Sequence, residues 1–303
     1  MIYDLSLHIG YRYDVPASGA HHILRLLPLS LADRQRLVAG SVTVDPRPDE
    51  TSRFTDFFGH PASYVMYRSP HERLDIRMQA RVSVQAPPLT ADFSPILAKL
   101  PEELADCWSL GPDSPHHFLA ESPRLGIDPM IADYARAEVK SGSTVRQIAE
   151  AICARIHTDF KYDPKATTVD TPPLEAFSLK RGVCQDFSHI MIIALRSLGI
   201  PAGYVSGFLR TIPPPGKERL EGADAMHAWV RIWCGETAGW IELDPTNNIS
   251  VGADHIVTSY GRDYSDVAPV IGVLKSYGSH QTDQAVDVVP VKSPQSPAIS
   301  PVS

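Results

Sequence analysis

Apolar residues recur at Phe187, Ile190, Met191, Ala194, Leu195 and Leu198, the i, i+3, i+4, i+7, i+8, i+11 series that lays one stripe of a helix against a core. Gly199 and Pro201 close the segment, the first suited to a left-handed cap and the second unable to continue the helical ladder. The start of this core helix falls at or next to Cys184, within Gly182-Val183-Cys184-Gln185-Asp186-Phe187. At the positive end of a helix, free backbone N–H groups favour a thiolate over a thiol and offer donors to a developing oxyanion. On its own, a cysteine heading a helix is more often a small buried hydrophobe than a nucleophile. Asp186, in the first turn, reads as a cap or structural hydrogen-bonder.

The preceding residues carry a different period. Leu5, Leu7, Ile9, Tyr11 and Tyr13 alternate with more polar partners, the period-2 mark of a half-buried strand. Short strands of the same kind are expected at 23–27, 37–44, 64–67 and 74–84, with Pro16, Pro28, Pro46, Pro48, Pro61 and Pro70 between them. Several strands with no helix between them predict an N-terminal β-sandwich over residues 1–85. Pro87-Pro88 marks a boundary, and residues 86–128 read as a linker with one or two short helices. A helical stretch is expected from Pro129 to Val139. Thr144 with Gln147 then forms a capping-box pattern ahead of Ile148, Ile152 and Ile156. Residues 278–303, with Pro290, Pro294, Pro297 and Pro301 and no aromatic, are expected to be disordered.

Length and composition agree with this plan. At ~150 residues per domain, 303 residues suggest two domains. A net charge of −7 without a basic run argues against nucleic acid or anionic lipid as partner. Met1 to Tyr13 lacks the positive and apolar regions of a secretory leader, so a cytoplasmic location is expected. The four cysteines, Cys107, Cys153, Cys184 and Cys234, form no CxxC pair, which gives neither a disulfide framework nor a zinc signature. No metal or cofactor is implied, and the adjacent pair His21-His22 is a poor clamp because strand neighbours point to opposite faces.

Residues 225–233 alternate as a strand, with His227, Trp229, Arg231 and Trp233 on one face and Ala228, Val230 and Ile232 on the other. After Gly235-Glu236-Thr237-Ala238-Gly239, a second strand ends at Asp244-Pro245. A strand histidine or an Asp-Pro turn is singly unremarkable. Together, a helix-start Cys, a strand His 43 positions on and an Asp 17 beyond it stand in the order of a thiol-protease-like triad. A symmetric turn centred on Thr237 would pair Asp244 with Val230 and turn it away from His227, so a bulge or an offset register is required.

The stretches GVCQDFSHIMIIALRSLGIPAGYVSGF, DAMHAWVRIW and GWIELDPTNN resemble the transglutaminase-like core, a papain-like cysteine fold. GRDYSDVAPVIGV is similar to the segment that follows that core in bacterial members, and the β region with YRYDVP and LRLLPL resembles the domain that precedes it. The resemblance covers roughly residues 3–275. Met226, where a small residue is commoner, and Phe57-Phe58-Gly59-His60 depart from it without touching the triad. It implies an α+β chain, an N-terminal β-sandwich followed by a helical part plus antiparallel sheet over 129–277. It implies Cys184 as nucleophile, His227 as general base and acid, and Asp244 as its orienter. Tyr162 is a candidate oxyanion donor and Trp229 a candidate cover for the His–Asp pair. The expected activity is that of a thiol enzyme on peptide or protein amide bonds, by hydrolysis in preference to glutamine γ-glutamyl transfer to an amine. The other class is a catalytically silent binding scaffold on the same fold.

Overall fold

The computed structural model describes residues 1–88, 91–211 and 224–291. Five N-terminal strands form, and the alternation predicts four of them, with the first two expected segments joined in β1: β1 (Ile2–Leu24), β2 (Gln35–Asp45), β3 (Glu50–Thr55), β4 (Pro61–Tyr67) and β5 (His71–Val84). Of these, β3 was not anticipated; it is exposed along its length and has no buried face to produce an apolar period. In β1, Tyr3, Leu5, Leu7 and Ile9 are buried and the residues between them are not.

The helical half opens with α1 (Leu100–Asp106), α2 (Pro129–Arg136) and α3 (Val145–Asp159). The capping box at the head of α3 is present, with Thr144 Oγ1 accepting the Gln147 N–H and the Gln147 side chain accepting from the Thr144 backbone. Next come β6 (Lys161–Tyr162), α4 (Pro173–Leu179), β7 (Arg181–Gly182) and α5 (Cys184–Ser197). Then follow β8 (Ala202–Leu209), β9 (Ala225–Trp233), β10 (Trp240–Asp244), β11 (Ile249–Ser250), β12 (His255–Gly261) and α6 (Tyr264–Val267), and finally β13 (Val270–Lys275) and β14 (His280–Pro290).

The α+β class holds, with two corrections. The expected sandwich is one curled seven-stranded antiparallel sheet of order β2-β5-β1-β4-β3, with β13 and β14 also paired to β1. A register irregularity between Arg12 and Ala17 divides β1. Its first half lies between β5 and β14, and its second between β4 and β13. The second correction concerns residues 278–303: His280–Pro290 form a strand paired with Tyr3–Tyr13, so the sheet begun by the N-terminus is finished by the end of the chain. Only Val286 and Val288 of β14 are buried. Its order comes largely from backbone pairing, which composition does not reveal. The remainder of that stretch, 292–303, lies outside the described residues.

The second sheet has the order β11-β10-β9-β8-β12, entirely antiparallel. Helix α5 packs on β8 and β9 and is flanked by α2, α3 and α4. More than one stripe of α5 is buried: Ser188, His189 and Arg196 are enclosed with the apolar residues. Arg196 reaches the carbonyls of Ala120, Ala202 and Arg262, which offsets the cost of burying its charge.

The two sheets share an interface along β12. A register shift between Val257 and Ser259 turns the Val257 peptide toward the N-terminal sheet. There the Gln35 amide donates to the Val257 carbonyl and accepts its N–H, like one more strand residue. His60 accepts the Tyr260 N–H, and Arg34 pairs with Glu242 of β10. Among the described residues, no helix is long and apolar enough to cross a membrane.

Candidate active site

Cys184 is the first residue of α5, after Val183 in extended conformation. Asp186 holds this start, accepting the Val183 N–H at 2.8 Å and the Thr167 hydroxyl at 2.7 Å. It is the structural cap expected from sequence, and burial raises its pKa. Position 182 must be glycine, because a Cβ there would sit 2.4 Å from the Asp186 carboxylate. Cys184 is partly exposed, as is Cys107, whereas Cys153 and Cys234 are buried. Burial pushes the Cys153 thiol up to about 12 and raises that of Cys234 as well.

The register of β9 and β10 resolves the question raised by the turn. Leu243 pairs with Val230 and Glu242 with Arg231, one residue away from the symmetric alignment. The next position, Asp244, therefore falls opposite Trp229, on the His227 face. No bulge is needed. His227 Nε2 lies 2.8 Å from Asp244 Oδ2. A carboxylate only accepts, so Nε2 carries the hydrogen and Nδ1 is left as the basic nitrogen toward Cys184. Burial pushes the His227 pKa down, but hydrogen bonds to Asp244 and Cys184 together with their charges outweigh it and raise it to about 10.

Asp244 has no solvent exposure. Its Oδ1 accepts the backbone N–H groups of Thr246 and Asn247. Its Oδ2 accepts His227, the Asn247 amide at 2.6 Å and His255 at 3.3 Å. Burial pushes this carboxyl up, yet the donors from His227, His255 and Asn247 hold it well below the usual carboxylate range. Donor atoms of His227, Asp244 and His255 lie within 4.8 Å of one another, close enough for ligands of one metal ion. Their arrangement is already accounted for by two ring N–H groups donating to one carboxylate oxygen.

Trp229 is fully buried beside this pair. Its Nε1 donates to Glu242 at 2.6 Å, and its ring centroid is 6.0 Å from that of His227 and 5.1 Å from that of His255. The ring crosses β8 at Gly207, where a Cβ would stand 2.5 Å from it. Trp233 belongs to the helical core. Tyr162, on β6, pairs with Gly182 and is half-exposed. Burial and then the charge of Cys184 raise its pKa.

Sequence reasoning missed His255 and the Asn247 side chain. Asn247 was legible as an Asx-type neighbour of the Asp-Pro turn. His255 gave no signal, because β12 is separated from β10 by two strands and only the sheet order brings its ring to Asp244.

Comparisons with known proteins place the chain in a family. Residues 132–245 match the transglutaminase-like superfamily model, and residues 3–83 match the bacterial transglutaminase-like N-terminal region. An uncharacterized protein of Mycobacterium tuberculosis is 35% identical over 292 residues, covering 95% of this chain and 92% of that one. Another from Mycobacterium leprae is 30% identical over 284 residues, covering 92% and 95%. Among solved structures, a candidate cysteine protease from Cytophaga hutchinsonii superposes with a TM-score of 0.74 at 21% identity. That match covers 98% of this chain and 93% of the other, and at such identity it shows a shared fold. The chain belongs to the transglutaminase-like superfamily, in the form that carries the bacterial N-terminal region ahead of the core.

Proposed function

We propose that this protein is a thiol hydrolase that cleaves peptide or protein amide bonds through an acyl-enzyme on Cys184. The observation that carries the reading is the 2.8 Å bond from His227 Nε2 to buried Asp244, which leaves Nδ1 for a thiol at a helix N-terminus. His227 Nδ1 takes the thiol proton as Sγ attacks the amide carbonyl carbon. The oxyanion draws on the first-turn N–H groups of α5, which have no carbonyl partner within the helix, with the Tyr162 hydroxyl as a further donor beside the thiol. The imidazolium then protonates the departing amine, and the C–N bond breaks. Water, deprotonated by His227, attacks the thioester, and the acid leaves as Cys184 recovers its proton. Asp244 stays ionised throughout and stabilises the imidazolium.

Hydrolysis is favoured over amine transfer because transfer needs a wall that excludes water at the thioester. Trp229 and Trp233, the tryptophans of the His227 strand, are consumed in the interior of the sheet and helical core. Cys184 and Tyr162 are partly exposed. A peptide-amide or glutamine substrate supplied with millimolar labelled primary amine tests this. Acid product should dominate; amine incorporation exceeding hydrolysis would make the chain a γ-glutamyltransferase. No acyl-enzyme with any such substrate would favour the silent scaffold.

A further inference from the structure

Resting on the thiol-enzyme reading, we propose that His255 is a positioning residue for the reaction, acting on His227 through the carboxylate they share. His255 opens β12, is 2% exposed and sits 3.3 Å by Nε2 from Asp244 Oδ2. Its Nδ1 accepts the Gly252 N–H at 3.4 Å, so that nitrogen bears no hydrogen and Nε2 carries it. The ring meets the Trp229 ring edge-on, at 77°. Trp229 is in turn held by its bond to Glu242, so the His255 imidazole has one orientation and one donor to offer.

The carboxylate receives five donors: two backbone N–H groups on Oδ1, and the Asn247 amide and two imidazoles on Oδ2. A carboxylate offers about four lone-pair sites, so Asp244 is saturated. Three of these donors meet on Oδ2 and restrain the carboxylate, which keeps that oxygen within reach of His227 Nε2. Without His255, the carboxylate has one restraint fewer on the oxygen that matters, and imidazolium is held less well. Thiolate then forms at higher pH, because the thiolate and imidazolium stabilise each other.

Iodoacetamide modification of Cys184 as a function of pH reads this without a substrate. In His255→Leu, the acid limb of the Cys184 rate should move up by about one pH unit. With a cleaved substrate, kcat should fall about 10- to 100-fold while KM stays within about twofold. His255→Gln, which keeps a donor, should recover most of both. A limb that stays in place or moves down in His255→Leu overturns the proposal, as does equal impairment of the Leu and Gln variants, which would mean packing alone. Should the Leu variant not fold, histidine nitrogen NMR of the wild-type chain decides. His255 should be neutral with hydrogen on Nε2, and that resonance should shift in Asp244→Asn; the other tautomer, or an unmoved resonance, overturns the proposal. A wild-type Cys184 no more reactive than free cysteine would sink the thiol-enzyme reading instead, while the NMR result would still report on the His255–Asp244 bond.

Discussion

The two sheets bury histidines in opposite ways. In the second sheet, His227 and His255 converge on Asp244, and that carboxylate together with Cys184 lifts the His227 pKa to about 10 despite burial. In the N-terminal sheet, His22 is 4% exposed, packs near Tyr67, and neither ring nitrogen has a hydrogen-bond partner among the described residues. Burial, then the charges of His71 and His21, push its pKa down to about 4. Burial is common to both places. Burial therefore does not make a histidine useful; a buried acceptor beside it does.

Removing that acceptor should have the largest effect. Asp244→Asn keeps the shape but leaves an amide that cannot stabilise imidazolium, and kcat should fall by about 10³- to 10⁴-fold, measured on any substrate found by profiling. Unchanged turnover would remove Asp244 from the mechanism and make the two histidine sites equivalent.

The next effect centres on the N-terminal sheet. Truncation after Gly278 removes β14, exposes the first half of β1 as an edge and deletes buried Val286 and Val288. At about 1.5–3 kcal/mol per buried side chain, roughly 4 kcal/mol should be lost, lowering the melting temperature by about 10 °C. A change within a degree would mean that the strand contributes little.

The link between the sheets comes third. The Glu242 side chain is largely buried and accepts from Arg34, Trp229 and Tyr260. Arg34→Ala leaves that carboxylate buried without its guanidinium, at a cost of about 3 kcal/mol, visible in denaturant unfolding. Because Glu242 also holds Trp229 beside His227, activity should fall with stability. A variant of unaltered stability would show the sheets to be energetically independent.

The smallest effect is a pH dependence. An unfolded His22 binds its proton near 6.5 and the folded one only near 4. Stability from this residue is thus complete above pH 6.5 and is lost as pH falls toward 4, by at most about 3 kcal/mol. Urea unfolding of wild type and His22→Phe across pH 4–7 should show a shallower acid decline in the variant. His227, with its pKa raised, contributes in the other direction: its stability is complete below 6.5 and is lost as pH rises through about 10.

How much of this was legible follows from where each signal resides. The α5 stripe, the Thr144 capping box and the alternation of β1 are local periods, and the structure places them as read. Cys184, His227 and Asp244 were singled out through motif order, while counting turn residues left a bulge or an offset register open, and the strand pairing supplies the offset. The sequence could not show β14, whose pairing partner lies at the other end of the chain, or the folding of one sheet in place of a sandwich. Nor could it show His255, whose meeting with Asp244 depends on the order of strands in the second sheet. These are products of long-range register, which no local period encodes.

The central claim is that His227 and the start of α5 activate one thiol of four. Competitive alkylation of the native chain with a limiting reagent near pH 7, resolved by peptide mass spectrometry, tests it directly. Cys184 should be modified at least about tenfold faster than Cys107, with Cys153 and Cys234 protected by burial, and His227→Ala should erase the advantage. Labelling of Cys107, Cys153 or Cys234 as fast as Cys184, or a Cys184 rate indifferent to His227→Ala, would contradict the account.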